Sequence, residues 1–390
     1  MSVRKRTWRN GDGSDGEAWV VAYTDRAGIR RIKTFDRKRD AEIFEAAVGV
    51  EVRAGVHVPD SQSVMVAEAG RLWLMSCEAA GLEQTTLDYY RQHVELHIVP
   101  LLGAVKLSQL TVPLVRDFED QLRKDRSPAM VRKVLGSLGA LLADAQERGL
   151  VAHNVARWLR ARRIRGKDAR AEKRRKGKLK VGVDIPAPNE VRAIIAHLDE
   201  RWRPLLLTAI FTGLRASELR GLRWADVDLK RCELHVQQRA DCFNTFGPPK
   251  SEAGERTIPL SPMVANTLRK HRLVCPKGKL DLVFPNGRGN VESHTNIINR
   301  GLIPAQIAAG VITAPGKAKY TGLHRLRHFY ASWCINRRVD GGLELPLKLV
   351  QARLGHASIQ MTADRYGHLF PTGDDGAELA AAEKAFLGEA

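Results

Sequence analysis

The sequence predicts a mainly α-helical protein with small β elements, divided into several domains. Its length of 390 residues suits two or three domains with buried cores. Hydrophobic residues make up 44% of the chain, which is typical of a globular protein and not of a disordered one. Apolar residues recur at helical spacing through residues 64–150 and again from residue 186, whereas the strand-like segments are short.

Residues 1–62 are predicted to form a small basic module of two strands and a helix. Residues 18–24 are rich in β-forming side chains, and residues 29–35 have the composition of the returning strand. The returning strand carries the basic side chains for which we predict DNA contact, Arg30, Arg31 and Lys33. A purely structural appendage is an equally good interpretation of this composition.

Residues 63–153 are predicted to form a helical bundle. Four successive segments show apolar residues at helical spacing. Pro113 and Pro128 mark the first turns of the last two helices, and Gly149 ends the final helix. Four amphipathic helices with short connections are typical of a compact bundle.

Residues 154–185 are predicted to be a basic linker between folded domains. Thirteen of the 24 residues in the segment 157–180 are Lys or Arg, and a block of like charges resists compaction. The block is either a solvated linker or a segment that follows a DNA backbone, and we favour DNA contact. The side chains predicted to make this contact are Arg162, Arg163, Arg165, Lys173, Arg174 and Arg175.

Residues 186–372 are predicted to form one α-rich domain with a β-hairpin. A fully apolar helix at residues 204–212 lies at its centre, and residues 232–237 and 255–260 have strand composition. The tail, residues 373–390, holds too few apolar residues to form a core alone. We therefore expect the tail to contact a neighbouring protomer.

The charge balance favours a polyanionic partner. Lys and Arg total 63 against 44 acidic residues, for a formal net charge of +19. Nucleic acid and an acidic membrane surface both fit this charge. Because no apolar stretch approaches the roughly 20 residues of a membrane span, and none resembles a signal peptide, we expect a cytoplasmic protein. The five cysteines are scattered, which argues against a zinc site or a disulfide framework.

Four segments of the last domain carry residues suited to phosphoryl transfer. Arginines can grip a phosphate through two oxygens, histidines can move protons near neutral pH, and a tyrosine can act as a nucleophile beside cations. Taken singly, each of these side chains has an ordinary structural role. The candidates are Arg215 in TGLRASEL, Lys250 in a turn, His324, Arg327 and His328 in HRLRH, and His356 and Tyr366 in LGHASIQMTADRYGH.

Metal chemistry is weakly supported by the same segments. His324 and His328 have the spacing of a zinc pair, but the HExxH arrangement is absent. Asp226 and Asp228 have no acidic partners nearby in sequence. We therefore expect a metal-free reaction without a cofactor.

The order and spacing of the four segments resemble the tyrosine recombinase (phage integrase) family. TGLRASEL resembles its first arginine box, HRLRH its His-x-x-Arg-His box, and LGHASIQMTADRYGH the box that ends in the nucleophile. PPKSEAGERTIPL resembles the hairpin that carries the family's lysine. The resemblance covers residues 186–372. The preceding bundle fits the family's SAM-like core-binding domain, and residues 1–62 resemble, more loosely, the arm-binding module of longer integrases.

The resemblance implies which side chains hold the phosphate. Arg215 and Arg327 would clamp the scissile phosphate and stabilise its pentacoordinate transition state. Glu218 would orient Arg215. His356 would donate a hydrogen bond to a phosphate oxygen.

It also implies which side chains move protons and form bonds. Tyr366 would attack the phosphate and give a 3′-phosphotyrosyl link with a free 5′ hydroxyl. His324 would assist as general base, and His328 would have a supporting role. Lys250 would protonate the leaving 5′ oxygen. Since the link conserves the phosphodiester energy, rejoining would need no ATP.

The resemblance implies an integrase that acts on double-stranded DNA at core and arm sites as a homotetramer. Accessory DNA-bending or directionality factors would be further partners, and the host element would be a phage or a genomic island in a bacterial cell. Two other functions remain open. A type IB topoisomerase uses similar chemistry as a monomer, and a DNA-binding regulator would retain the fold without catalysis.

Overall fold

The computed structural model describes residues 2–9, 11, 14–25, 28–159, 178–371 and 375–388. The chain divides into two compact units, Met1–Arg163 and Ile164–Ala390. Both are rich in helix and carry only small sheets, so the predicted fold class is confirmed. The finer division into five segments remains a prediction.

The first unit opens with an antiparallel sheet of three strands, β1 (Ser2–Arg9), β2 (Asp15–Thr24) and β3 (Arg30–Phe35). Helix α1 (Lys38–Arg53) packs on one face of this sheet, over the fully buried Val21. The two predicted strands correspond to β2 and β3. Strand β1 is additional: four cationic residues in eight obscure the alternation by which a strand is recognised.

A helical bundle completes the first unit. The predicted helix starts are correct, because Pro113 and Pro128 lie in the first turns of two helices that Thr111 and Ser127 cap through their side-chain oxygens. A π-helical turn, Val94–Ile98, joins two of the helices into one continuous run, so four helical rods form the bundle. The helices are α2 (Val66–Ala79), α3 (Gln84–His93), α4 (Val99–Leu102), α5 (Val112–Asp125) and α6 (Pro128–Glu147).

The second unit is built around a buried helix. Helix α7 (Pro188–Ala196) precedes α8 (Arg203–Thr212), whose residues from Pro204 to Ile210 are all buried, as its apolar sequence predicts. Gly213 ends α8 in the left-handed conformation with φ 63°, and α9 (Ala216–Gly221) begins directly afterwards. The predicted first arginine box therefore lies in the tight turn between α8 and α9.

Small sheets follow α9. Strands β5 (Glu233–Val236) and β8 (Arg256–Pro259) pair antiparallel, with Val236 opposite Arg256, and correspond to the two predicted strands. A short hairpin is inserted between them. The strands are β4 (Val227–Asp228), β5 (Glu233–Val236), β6 (Arg239–Ala240), β7 (Phe246–Gly247), β8 (Arg256–Pro259), β9 (Ile312–Thr313) and β10 (Lys317–Ala318).

Helices make up the rest of the second unit. They are α10 (Pro262–Val274), α11 (His294–Asn296), α12 (Ile303–Ala308), α13 (His324–Ile335), α14 (Leu347–Leu354), α15 (Ile359–Tyr366) and α16 (Asp375–Leu387). The last of these forms the predicted tail, and its Phe386 side chain is 89% exposed.

The structure gives two further findings, on the cysteines and on membrane spans. All five cysteines are free thiols. In the described part of the chain, every helix is too short or too polar to cross a membrane.

Candidate active site

Three arginines converge on the C-terminal end of α14. Three consecutive backbone carbonyls there each accept a hydrogen bond from a different arginine. The donor–acceptor pairs are Arg256 Nε to Arg353 O (2.8 Å), Arg327 Nη2 to Leu354 O, and Arg215 Nη2 to Gly355 O (2.9 Å). The last carbonyls of a helix lack partners within the helix and carry partial negative charge, so cations are stabilised there. We call these three side chains the arginine cluster.

Gly355 ends α14 and makes this packing possible. Its φ of 63° is left-handed, a conformation that costs glycine little. A Cβ at this position would lie 2.8 Å from Arg256 Nη1 and 2.9 Å from the carbonyl oxygen of Ala253. The Leu-Gly-His segment therefore needs glycine for its backbone angle and for the space that Arg256 occupies.

Among the residues that the structure describes, Glu218 is the carboxylate that pairs with the arginine cluster. The side chain is 2% exposed, and it accepts hydrogen bonds from the backbone N–H and Nη1 of Arg215 at 2.8 and 2.7 Å. Burial alone would raise the pKa of Glu218, but the charge and hydrogen bonds of Arg256, followed by the charge of Arg215, lower it to about 2. Glu218 is therefore an anion throughout the physiological range.

The two arginines predicted to clamp phosphate differ in exposure. The Arg215 side chain is 33% exposed, whereas Arg327 is 2% exposed and also donates from Nη1 to the carbonyl of Gly213 at 2.6 Å. Burial, together with the charge of Arg215, lowers the pKa of Arg327 to about 9. Arg327 thus remains a cation at neutral pH and contributes a positive charge that little water screens.

His324 and His356 lie beside the cluster. His324 is the first residue of α13, while His356 is buried with Nδ1 2.9 Å from the hydroxyl of Thr362. Desolvation, and then the charges of surrounding arginines including Arg327, lower the pKa of each histidine to about 4. Both imidazoles are therefore neutral near pH 7 in the DNA-free chain.

Tyr366 is the last residue of α15 and is 1% exposed. Its hydroxyl lies 2.7 Å from Nδ1 of His328, which occupies the same face of α13 as His324. Burial raises the pKa of Tyr366, although the nearby charges of Arg327 and Arg365 oppose this. The structure thus gives His328, and not His324, as the hydrogen-bond partner of the predicted nucleophile.

Burial, His324 and the nearby arginines lower the pKa of His328 to about 3. A neutral imidazole can accept a proton from the phenol through Nδ1 or donate one to it, depending on its tautomer. His328 therefore contacts the hydroxyl of the predicted nucleophile directly, whereas the sequence predicts only a supporting role for it. Its place one turn after His324 puts both histidines on one face of α13, but the sequence does not show which of them meets Tyr366.

Lys250 lies in the exposed loop between β7 and β8. Gly254 allows the loop to pack closely on itself, because a Cβ at this position would lie 2.4 Å from the side chain of Pro249. Arg256, at the start of β8, donates a hydrogen bond to Glu218. The hairpin that carries Lys250 is therefore connected to the arginine cluster through Arg256. The role of Lys250 itself stays a prediction.

The sheet of the first unit places its predicted DNA-binding cations on two faces. Lys33 lies on the face that α1 covers, with its ammonium 4.7 Å from the ring centre of Phe44. It pairs with Asp60 at 2.5 Å, and Arg31 on the same face pairs with the buried Asp25 at 2.8 Å. Arg30 is exposed on the opposite face.

Strand alternation adds cations to this open face of the sheet. Arg4 and Arg6 of β1 share the face with Arg30, and both are exposed. The predicted contacts Arg162, Arg163, Arg165, Lys173, Arg174 and Arg175 of the linker lie outside the described residues.

Side chains that ligate metals are dispersed. Within the described ranges, no group of three or more His, Cys, Asp or Glu side chains is placed to hold a metal ion.

Comparison with known proteins identifies the family. Residues 187–372 match the family model described as the phage integrase family. The chain is 30% identical to the tyrosine recombinase XerC of Xylella fastidiosa over 249 residues, covering 60% of this chain and 75% of that protein. It is 24% identical to a tyrosine recombinase XerC-like protein of Caldanaerobacter subterraneus, covering 86% of each.

A solved structure shares the fold. The chain is similar to a lambda integrase tetramer bound to a Holliday junction, with a TM-score of 0.56 and 18% identity, covering 90% of this chain and 95% of that one. The names of the sequence relatives and the fold shared with this structure agree on the family. The chain belongs to the tyrosine recombinase family, the phage integrase family of DNA strand-joining enzymes.

Proposed function

We propose that this protein is a site-specific recombinase that cuts and rejoins DNA through Tyr366, by transesterification without a metal ion. The observation that carries the proposal is the convergence of Arg215, Arg327, His356 and Tyr366 at the end of α14. The relatives named as recombinases support the same conclusion. The roles below follow from the chemistry of these groups.

Arg215 and Arg327 bind the scissile phosphate and stabilise the second negative charge that develops on it in the pentacoordinate transition state. Their N–H donors to carbonyls fix the guanidinium planes without cancelling their charge. Glu218 orients Arg215. His356 donates a hydrogen bond to a phosphate oxygen. Positive charge from arginines thus serves where other phosphoryl-transfer enzymes use a metal ion.

The phenolic oxygen of Tyr366 attacks phosphorus, a 3′-phosphotyrosyl bond forms, and the bond to the 5′ oxygen breaks. Lys250 supplies a proton to that 5′ oxygen. The proton of Tyr366 leaves through the histidines of α13, with His328 in direct contact with the hydroxyl and His324 as the predicted general base. Since Tyr366 is buried in the DNA-free chain, DNA binding must bring its hydroxyl to the phosphate.

The remaining segments serve DNA binding and assembly in this proposal. Residues 1–62 form an arm-type module, residues 63–153 a core-binding domain and residues 154–185 a basic linker. The catalytic domain is residues 186–372, and residues 373–390 contact a neighbouring protomer. An exchange between two duplexes cuts four strands, and therefore requires four nucleophiles in a homotetramer. The lambda integrase tetramer on a Holliday junction supports this assembly.

The biological outcome that we propose is integration or excision of a mobile element such as a phage or genomic island. Accessory DNA-bending or directionality proteins are further proposed partners.

A covalent-trapping assay tests the proposal. Suicide duplexes, nicked next to candidate cleavage positions, are drawn from DNA that flanks the coding sequence and incubated with the full chain in excess chelator. We expect a protein–DNA adduct that resists denaturing electrophoresis, and none from Tyr366→Phe, which keeps DNA binding. An adduct that forms with Tyr366→Phe overturns the assignment of the nucleophile. Exchange between two sites, compared with relaxation of plasmid lacking a site, separates recombinase from topoisomerase.

A further inference from the structure

Arg256 is the member of the arginine cluster for which the sequence assigns no role. Its side chain is 6% exposed, although it begins the edge strand β8. Nη1 and Nη2 donate to the two carboxylate oxygens of Glu218 at 3.2 and 2.9 Å, and Nη1 also donates to Gly254 O at 2.8 Å. With the bond from Nε to Arg353 O, each of the three guanidinium nitrogens donates to a protein oxygen.

Glu218 is therefore shared between two arginines. Oε1 accepts from Arg215 Nη1 and from Arg256 Nη1, while Oε2 accepts from the Arg215 backbone and from Arg256 Nη2. Arg256 uses the planar two-pronged geometry that matches a carboxylate best. Arg215 contributes one side-chain N–H to Glu218 and donates another to the carbonyl of Gly355.

The charges of these groups decide what Arg256 does. Arg215, Arg256 and Arg327 carry three positive charges and Glu218 carries one negative charge, so the group has a net charge of +2. Without Arg256, Glu218 would neutralise Arg215 and the net charge would fall to +1. Because the site is largely desolvated, one charge has a large effect on a neighbouring phosphate.

We propose that Arg256 is a positioning residue that neutralises Glu218, so that Glu218 orients Arg215 without cancelling its charge. This inference rests on the proposed function, since it requires a phosphate at the arginine cluster. In the transition state the phosphate gains a second negative charge as the bond from Tyr366 forms and the bond to the 5′ oxygen weakens. The net charge of +2 then matches the charge of the reacting group.

The test compares two substrates that differ in charge. In the first, the suicide duplex has its natural phosphodiester at the cleavage position; in the second, a methylphosphonate there replaces one non-bridging oxygen with a methyl group and removes one negative charge. We expect Arg256→Gln to slow single-turnover adduct formation about 10²-fold on the phosphodiester, and about 10-fold or less on the methylphosphonate. Equal losses on both substrates would falsify the charge role and leave Arg256 a purely structural residue.

A second variant tests the same point by restoring the charge. Adding Glu218→Gln to Arg256→Gln returns the net charge to +2, and two amides can still hydrogen-bond each other. We expect the double variant to cleave the phosphodiester faster than Arg256→Gln alone, although each substitution removes a native contact. A double variant slower than Arg256→Gln overturns the proposal. If Arg256→Gln is poorly folded, Arg256→Lys serves instead, because it keeps the charge. We expect Arg256→Lys to retain the wild-type ratio of cleavage rates between the phosphodiester and the methylphosphonate. A ratio shifted toward the methylphosphonate overturns the proposal.

Arg220→Gln is the matched control. Arg220 is also buried and donates to the carbonyls of Glu292 and Asp241, at 2.7 and 2.6 Å, without contacting the cluster. Any loss of activity from its replacement should be equal on the two substrates. Should the wild-type chain form no adduct with either duplex, the proposed function itself fails; a wild-type adduct with no substrate dependence in Arg256→Gln defeats only this inference.

Discussion

The sheet of the first unit and the arginine cluster of the second use basic side chains in opposite ways. On the covered face of the sheet, Arg31 and Lys33 each face one carboxylate, of Asp25 and Asp60. In the cluster, two of the three guanidiniums share Glu218, and backbone carbonyls accept the other N–H groups described above. Carbonyl oxygens satisfy hydrogen-bond donors without adding a unit of negative charge. The first arrangement neutralises positive charge within the fold, while the second leaves positive charge that, on the proposed function, binds a phosphate.

The largest expected effect tests the retained charge. Arg215→Ala or Arg327→Ala should slow adduct formation by about 10²–10³, because each removes a charged donor from the transition state. DNA binding, measured by electrophoretic mobility shift, should change far less. Arg231→Ala is the control, since this arginine of the same unit is 74% exposed. Equal losses of binding and cleavage would show that the cluster only holds DNA.

Gly355→Ala should produce the next largest effect. The left-handed backbone costs an L-residue about 1 kcal/mol, and the added Cβ also meets Arg256 and the Ala253 carbonyl. We expect a loss of about 2 kcal/mol in unfolding free energy, measured in urea, with slower cleavage. Gly341→Ala is the matched control, because φ is 79° there but no atom lies within 4 Å of the new Cβ. A similar loss in both variants would show that crowding at Gly355 is unimportant.

Acid should weaken the second unit through its buried histidines. Folding lowers the pKa of His328 to about 3 and of His356 to about 4, from about 6.5 in the unfolded chain. The unfolded state therefore binds more protons below pH 6.5, so this contribution to stability is complete above pH 6.5 and is lost as the pH falls toward 4.

We expect His328→Gln to reduce the difference in unfolding free energy between pH 7 and pH 4.5 by about 1 kcal/mol or more. Urea titrations at the two pH values measure this difference. An unchanged difference would mean that His328 does not titrate as its burial indicates.

The smallest effect concerns the open face of the sheet. Replacing Arg4, Arg6 and Arg30 with serine should weaken nonspecific DNA binding and make it less sensitive to salt. Each lost phosphate contact should reduce the slope of log affinity against log salt concentration by about 0.9. Lys38→Ser on α1 is the control, because Lys38 already pairs with Glu42. A salt slope unchanged by the triple replacement would exclude this face from DNA binding.

The sequence predicts the helices and most of the site because their signals are local. Arg215, Arg327, His356 and Tyr366 each lie in a short segment with a recognisable pattern, and the structure brings these segments together at one helix end. The buried helix α8, which is largely apolar after Arg203, is equally predictable.

What the sequence does not predict depends on contacts between distant segments. Arg256 reads as an ordinary charged residue at a strand start, and its role arises from Glu218 and from the space at Gly355, 99 positions later. The contact between His328 and Tyr366 depends on how α13 packs against α15. Strand β1 is recognised only through its pairing with β2.

The burial of Tyr366 has a consequence for a cell. On the proposed function, a protein with a charge of +19 spends most of its time on DNA of unrelated sequence. A phenol that is 1% exposed and bonded to His328 is out of reach of the backbones met during that search. On the proposed function, this burial protects chromosomes from accidental breakage, because the hydroxyl must first become accessible before it can attack a phosphate.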